Sequence, residues 1–409
     1  MSGQMPKSGL TPIDEALAAL LNSLQPIKGE EELPLIDGVG RVLAKAVVAP
    51  ISVPPHASSA MDGYAVRSAD TTNVPADLPV TQRIPAGAVG VQLKPGEAAR
   101  IFTGAPIPQG ADAVVMQENA EQLDAAVRIL QPAKPGENSR PAGEDISIGS
   151  LVFSAGDRLK AQDIGVLASL GTTHVTVKRR LKVALLTTGD EIVKPGERLQ
   201  PGQIYNSNHY TLLTLLNALG AEVFDVGVVE DDLNSTVKAL DTVADTVDCI
   251  ISTGGVSVGE EDHVRAAVEQ LGTIDLWRLA IKPGKPFASG KVKQAVFFGL
   301  PGNPVSAFVT FVLMVRPSLL KLLGCSNVVH QSYFLPAGFD AAQSGNRQEY
   351  LRVVIDSVSG ESKMQPYANQ SSGVSASLSF ADGLAVVPAH THVVQGDRLR
   401  FIPFSELLF

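Results

Sequence analysis

Residues 249–262 read CIISTGGVSVGEED. The run from Cys249 to Ser252 has the length and composition of a fully buried strand. Thr253, Gly254 and Gly255 then break it, and Glu260, Glu261 and Asp262 are acids of the kind that open a helix, where carboxylates oppose the helix dipole. A buried strand that passes through a glycine-rich turn into a helix is the repeating half of a parallel α/β sheet. The unit recurs on both sides. VALLT (183–187) precedes a helix around Tyr210–Leu219 that Gly220 stops, and EVFDVGVV (222–229) precedes a helix near Leu233–Ala244. After CIIS a helix starts near Glu261, DLWRLAI (275–281) and AVFFG (295–299) add strands, and a long helix follows Pro304. The stretch from Leu181 to Gly324 therefore predicts a parallel α/β sheet, in which ligands bind outside the carboxyl ends of the strands. The strand ends are where the chemistry is to be sought.

Around this centre the pattern changes. Thr11 is expected to start a helix, with Pro12 in its first position, Asp14 completing a near capping box, and Ile13, Ala16, Leu17, Leu20, Leu21 and Leu24 on one face. From about Leu33 to Ser154, short runs such as RVLAKAVVA, AVVMQE and AVRIL alternate with turn signals at Pro54-Pro55, Pro95-Gly96 and Pro135-Gly136, which reads as β structure. A further helix is expected over Ala161–Leu170, ending at Gly171. Beyond Val328, the runs YLRVVID, LAVVPA and RLRFIPF predict a small β domain. The fold class is thus multidomain α/β plus β. It comprises a discontinuous helical module (1–50 and 146–180), a β-rich insert (51–145), the central parallel-sheet α/β domain (181–327) and a C-terminal small β domain (328–409).

With 409 residues, 44% hydrophobic and 18% charged, the chain exceeds one core and suits several folded domains. Its net charge of −9 argues against a general nucleic-acid binder. An acidic chain that handles anions must gather its cations locally. Cys249 and Cys325 belong to no CxxC pair, which argues against a zinc site or a disulfide framework and fits a reducing cytosol. No secretory leader is read at the start, and the strongly apolar run Val305–Val315 is shorter than the roughly 20 residues that span a bilayer. It is read as a core helix, and no membrane partner is expected.

Four strand-end segments are rich in chemistry. In Ser252–Gly259, glycines allow close backbone approach and hydroxyls on Ser252, Thr253 and Ser257 offer donors, as a phosphate cradle would; a tight turn reads the same way. The acids that follow suit either a divalent cation bridging to phosphate or the helix dipole. In KPGKP (282–286), prolines stiffen a turn that carries Lys282 and Lys285. Arg278 lies two and four positions before Ala280 and Lys282, so a continuous strand would put all three on one face. In PGNPVS (301–306), Asn303 is the expected N-cap and Pro304 the first helical residue, which suits an anion or a plain cap equally. Glu191 in TGDE and Asp231-Asp232 close two further strands, as metal ligands, bases or helix-start acids. In the β-rich insert, Asp62 stands among small residues in SSAMDGYA.

SSAMDGYA, FTGAPIP, RPAGED, TTGDE, STGGVSVGEED, IKPGKP and LPGNPVSAF occur in that order across nearly the whole chain. Together they resemble molybdopterin molybdenumtransferase, the MoeA family, which is related to the E domain of gephyrin. The resemblance implies an elongated homodimer of four-domain subunits, with a pterin-binding α/β domain and an active site between that domain and modules of the other subunit. Its motifs carry catalytic roles onto Asp62, Thr103, Glu191, Asp231, Asp262 and Lys282. They carry substrate binding onto Arg140, Asp145, Thr253, Gly254, Gly255, Ser257, Arg278 and Lys285, with Pro301 and Pro304 shaping a loop. Arg352 in EYLR is implied to bind an oxyanion from the C-terminal domain. Ser372 matches a family stretch that usually reads Gln-Gly-Ser, with Ser371 standing where that stretch has Gly.

The implied reaction is insertion of molybdate into adenylylated molybdopterin with release of AMP, in the cytoplasm. Mg²⁺ would be held by Glu191, Asp262 and Asp62, while Lys282, Lys285 and Arg278 would hold molybdate or the departing AMP. Implied partners are a second copy, a molybdopterin adenylyltransferase and other proteins of the cofactor pathway. Two rivals stand beside this reading: the adenylyltransferase itself, which needs neither Ser58–Ala65 nor the C-terminal module, and a non-catalytic dimeric scaffold.

Overall fold

The structure, a computed structural model, describes residues 9–255, 262–357 and 360–408. Its centre is a six-stranded sheet built from Lys182–Thr188 (β1), Glu222–Val229 (β2), Cys249–Thr253 (β3), Gly272–Arg278 (β4), Pro286–Val292 (β6) and Ala295–Leu300 (β7), with Ile281–Lys282 (β5) leaving it for another sheet. The order is β2-β1-β3-β7-β6-β4. The first four strands are mutually parallel, and β6 runs antiparallel to both β7 and β4. The sheet is therefore parallel where the ligand-bearing strand ends lie and antiparallel at one edge, a common arrangement in doubly wound folds. Strand β6 has no counterpart in the sequence reading, because Pro286, Gly290 and Lys291 interrupt its apolar pattern; a tight turn at Lys293, with φ of +51°, joins it to β7.

Helices cover both faces. Ser207–Ala218 (α3) packs with Pro304–Thr310 (α6) on one face, while Leu233–Ala244 (α4) packs with His263–Leu271 (α5) on the other. Chain order 2-1-3 across the first strands puts a change of winding direction beside the carboxyl ends of β1 and β3, where open α/β sheets form their crevice. The long helix after Pro304 is interrupted by a π turn at Phe311–Val315 before Arg316–Leu322 (α7). Pro317 explains the interruption, since it offers no N–H to the carbonyl one turn earlier. The whole span Pro304–Leu322 is long and apolar enough to cross a membrane, but its most apolar window is 94% buried, as a core helix is.

The first helix, Ile13–Ser23 (α1), starts later than its sequence suggests. Pro12 is its N-cap and makes no side-chain cap, while Thr11 is drawn into a β-bridge with Leu279. Its N–H donates to Arg278 O at 2.8 Å and its carbonyl accepts from Ala280 N–H at 2.7 Å, so strand pairing outcompetes the capping box. Ile13, Ala16, Leu20 and Leu24 then join the core shared by α6, α7 and the C-terminal residues Leu384, Ile402 and Phe404.

Segments on either side of the β-rich insert meet in space. Glu30–Pro34 pairs antiparallel with His174–Lys178, and Leu35, Leu43, Leu159, Leu167, Val175 and Val177 form one core with Ala161–Ser169 (α2) above it. The insert itself is a six-stranded sheet in which Gly63–Val66 lies between Ala98–Ile101 and Ala113–Met116. The C-terminal sheet contains Gln348–Asp356 (β8), and β5 pairs with it in parallel. The central domain thus lends a strand to the C-terminal domain, and the KPGKP turn sits at that seam.

Candidate active site at the strand ends

The carboxyl ends of β1, β2, β3 and β7 bring together TTGDE, EDD, STGG and LPGNP. The STGG loop lies hard against its neighbour. A Cβ on Gly254 would stand 2.6 Å from Thr188 O, and one on Gly255 would stand 2.5 Å from Val264 Cγ2; both glycines have positive φ, +90° and +63°. These glycines are therefore demanded by backbone packing between β3, β1 and α5. Gly254 N–H is already given to Leu300 O at 3.2 Å.

The Thr253 hydroxyl, expected as a ligand donor, is spent internally. It is 1% exposed, donates to Pro301 O at 3.1 Å and accepts from Asn208 Nδ2. Asn208 also donates to Gly302 O at 2.7 Å, so one side chain at the start of α3 ties the STGG and PGNP loops together. The sequence reading missed Asn208; its signal was its place just past the Asn206 cap of α3, whose side chain accepts from His209 N–H. Ser257, with Glu260 and Glu261, lies outside the described residues.

Asp262 caps α5, its Oδ1 accepting from Arg265 N–H at 2.9 Å. Its Oδ2 is buried with no hydrogen-bond partner among the described residues. Burial pushes the Asp262 carboxyl above its ordinary range, and the Asp231 charge adds to the rise. Asp232, next to Asp231, is the N-cap of α4, and its bond from Ser235 holds its own carboxyl low. Asp231 and Asp262 thus approach closely enough to repel, and one holds an orphaned oxygen. A hard cation with phosphate ligands fits such a pair, since Mg²⁺ commonly takes one or two carboxylates plus phosphate. The expected set of Glu191, Asp262 and Asp62 does not assemble within the chain: no group of three or more His, Cys, Asp or Glu suited to a metal occurs among the described residues. Glu191 is exposed, its carboxylate curling toward Gly189.

In the insert, Asp62 accepts from both Thr103 N–H (2.8 Å) and Thr103 Oγ1 (2.9 Å). The backbone bond, then the hydroxyl, and more weakly Arg100 hold this exposed carboxyl below its usual value. Arg140 stands opposite Ser58 in a two-residue ladder, beside the same motif, and Asp145 is tied by its N–H to Val53 O.

The basic turn departs from the continuous strand expected of it. Strand β4 ends at Arg278 and the chain changes sheets before Ile281, so Arg278 and Lys282 do not share a face. Arg278 and Lys285 instead line one cavity of about 360 Å³ with Arg347, Asn346, Gly9 and Leu10. No carboxylate lines it among the described residues, so its chemistry there is that of an anion site. Lys282 does not line that cavity and instead pairs across the seam with Glu349. Gly284 lets the turn touch α6: a Cβ there would stand 2.5 Å from Thr310 Oγ1.

Arg352 does not reach out from the C-terminal domain. It is 1% exposed, donating through Nε to Ser377 Oγ and through Nη2 to Asn369 O and Ser371 O. Its role in the fold is to brace the loop that carries Ser372. Ser372 O in turn accepts from Val305 N–H at 3.0 Å, at the first turn of α6. Asn303 provides no side-chain cap there, so the PGNP helix is capped from another domain. Pro304 occupies its first turn as expected. Cys249 and Cys325 are both buried, with thiol pKa values raised by that burial, Cys325 to about 11.

Comparison with known proteins follows the same division. Residues 11–171 match the MoeA N-terminal region (domain I and II), residues 184–321 a probable molybdopterin binding domain, and residues 335–404 the MoeA C-terminal region (domain IV). The chain is 37% identical to a molybdopterin molybdenumtransferase of Haemophilus influenzae, over 97% of this chain and 99% of that protein. It is 36% identical to molybdopterin molybdenumtransferase 2 of Mycobacterium tuberculosis, over 94% of this chain and 96% of that one. A crystal structure of the molybdopterin biosynthesis MoeA protein of Pyrococcus horikoshii superposes with a TM-score of 0.82 at 29% identity, covering 97% of this chain and 100% of its own.

Proposed function

The chain belongs to the MoeA family of molybdopterin molybdenumtransferases, and on that premise we propose that it inserts molybdate into adenylylated molybdopterin and releases AMP, giving the molybdenum cofactor. The observation that carries the reading is the pairing of two features at one set of strand ends. Asp262 has a carboxylate oxygen without a partner among the described residues and feels the charge of Asp231, and a cavity lined by Arg278, Lys285 and Arg347 has no acid among its described lining residues.

The cavity cations would bind the tetrahedral oxyanion and the negative charge that grows on the pterin phosphate as the anhydride breaks. Asp231 and Asp262 would hold Mg²⁺ together with the substrate's phosphate oxygens, and the bound cation would neutralise phosphate charge. The P–O bond of the pterin–AMP anhydride breaks, its electron pair staying on the pterin phosphate. The adenylyl phosphorus gains in its place an oxygen from molybdate or from water, giving AMP. As the two dithiolene sulfurs bond to molybdenum, one Mo–O bond breaks: its oxygen leaves either on AMP, the thiol protons then passing to solvent, or as water formed with the two thiol protons. Tight STGG and PGNP loops, pinned by Asn208, fix the backbone that faces the pterin.

Asp62 and Thr103 belong to this site in a homodimer, reaching the α/β domain of the second copy. The dimer is supported by exposed apolar side chains near the insert: Val48 and Leu151, paired across a two-stranded ladder, with Ile51 and Ile148. A molybdopterin adenylyltransferase is the partner whose product this enzyme would consume, and the cytoplasm is the compartment that fits buried free thiols.

The test is AMP release from adenylylated molybdopterin with Mg²⁺, with and without micromolar molybdate. Molybdate-dependent release together with active cofactor is expected. AMP formation that ignores molybdate, or pterin adenylylation from ATP, would overturn the reading.

A further inference from the structure

Lys282 and Glu349 are partners in the β5–β8 ladder, the two residues standing opposite each other across the domain seam. Lys282 Nζ lies 3.1 Å from Glu349 Oε1. The two are unequally held: the Glu349 side chain is 19% exposed and that of Lys282 is 55% exposed. The carboxylate is therefore the packed member of the pair and the ammonium the solvent-exposed one. The strand that carries Glu349 is itself bonded to the basic turn, through Gln348 N–H to Ala280 O at 2.8 Å and Arg347 Nη1 to Ile281 O at 3.4 Å.

We propose that Glu349 is a positioning residue of the enzyme, holding the Lys282 ammonium beside the cationic turn from the C-terminal domain; the catalytic role of Lys282 is the one its IKPGKP motif implies, and it rests on the function proposed above. The physical need is plain. A lysine has a flexible four-carbon stem and a compact charge. Lys285 of the same turn, Arg278 at the end of β4 and Arg347 before β8 present like charges in one cavity. Coulomb repulsion would drive an untethered ammonium away from them, toward water. A carboxylate fixed on the neighbouring strand supplies the opposing pull and limits the directions the ammonium explores. Because Glu349 belongs to another domain, Lys282 is set in place only when the C-terminal sheet is docked on β5.

A surface ion pair without such a role contributes little, and its loss moves neither turnover nor lysine conformation. Glu349→Gln keeps the size of the side chain and the strand. In the full-length enzyme it is expected to lower kcat for molybdate-dependent AMP release about tenfold, with KM for molybdate changing less than about twofold. Glu349→Asp is expected to recover part of that loss. In a Lys282→Ala background, Glu349→Gln should add nothing. An NMR spectrum of lysine labelled at Cε should show the Lys282 resonance, identified by its loss in Lys282→Ala, collapsing onto the averaged exposed lysines in Glu349→Gln. An unchanged Lys282 resonance, full kcat in Glu349→Gln, or an equal loss in the Lys282→Ala background would overturn the proposal. A wild-type enzyme that releases no AMP while its Lys282 resonance still responds to Glu349→Gln would instead sink the functional reading and leave the positioning standing.

Discussion

Thr103 gives both its N–H and its hydroxyl to the same oxygen of Asp62, at 2.8 and 2.9 Å. Two donors on one oxygen favour the ionised carboxyl, so its pKa lies below 3.8 in the fold. A depressed acid keeps its charge until the pH falls through the folded value, and Asp62 is fully exposed, so the consequence is for charge at the site and not for stability.

Thr103→Val removes the hydroxyl donor and leaves the backbone one. The Asp62 midpoint should rise toward 3.8 without passing it, because the larger backbone contribution persists. An NMR titration of the Asp62 carboxyl carbon reads this directly, and an unmoved midpoint would refute it. Turnover should fall by roughly tenfold, the scale of one lost orienting hydrogen bond.

Arg352 connects a buried charge to the cap of α6 through three steps: its guanidinium holds the 369–371 carbonyls, the loop presents Ser372 O, and that oxygen takes Val305 N–H. Burial lowers the guanidinium's pKa, so the charge is carried at a cost that the two carbonyls and Ser377 Oγ offset. Arg352→Met should leave those acceptors without donors and cost on the order of 3 kcal/mol. Equilibrium urea unfolding would show it, and limited proteolysis should cut near Ser371 before the fold melts. A variant as stable and as protease-resistant as the parent would place Arg352 outside this chain of contacts.

Much of the architecture was legible because burial leaves a period in the sequence. EVFDVGVV and the helix at Leu233–Ala244 match their observed spans residue for residue, since one is rich in Val and Phe, as strands are, and the other amphipathic. Strand β6 was hidden because its partner pairing is set by the hairpin at Lys293, which no local apolar pattern announces. At the strand ends, the motifs lie on loops that meet in space, but what each side chain contacts there was not legible. Thr253 and Arg352 have the chemistry of ligand donors, yet both are consumed by carbonyls from distant loops. Asn208 and Glu349 have ordinary local surroundings in sequence and acquire meaning only through tertiary partners.

Asp262 shows how the site sets stability against function. Its Oδ2 is buried without a partner among the described residues, and its pKa is raised first by that burial and further by Asp231. A carboxyl whose folded pKa exceeds its unfolded 3.8 makes folding favour the protonated form. Stability is then fully present below 3.8 and is lost as the pH rises through the folded pKa, so at neutral pH the ionised group is a net cost. Asp262→Asn removes that charge and keeps a good N-cap for Arg265 N–H. The variant should be more stable at pH 7 by roughly 0.5–2 kcal/mol, with the gain vanishing below the unfolded pKa. Millimolar Mg²⁺ should raise the melting temperature of the wild type and leave that of the variant unmoved, because the hard cation loses its anionic ligand. Molybdate-dependent AMP release should drop by about a hundredfold. Thermal melts at pH 3 and pH 7, with and without Mg²⁺, check the sign; a variant less stable than the parent at pH 7 would mean that the Asp262 carboxylate holds the fold together instead of straining it.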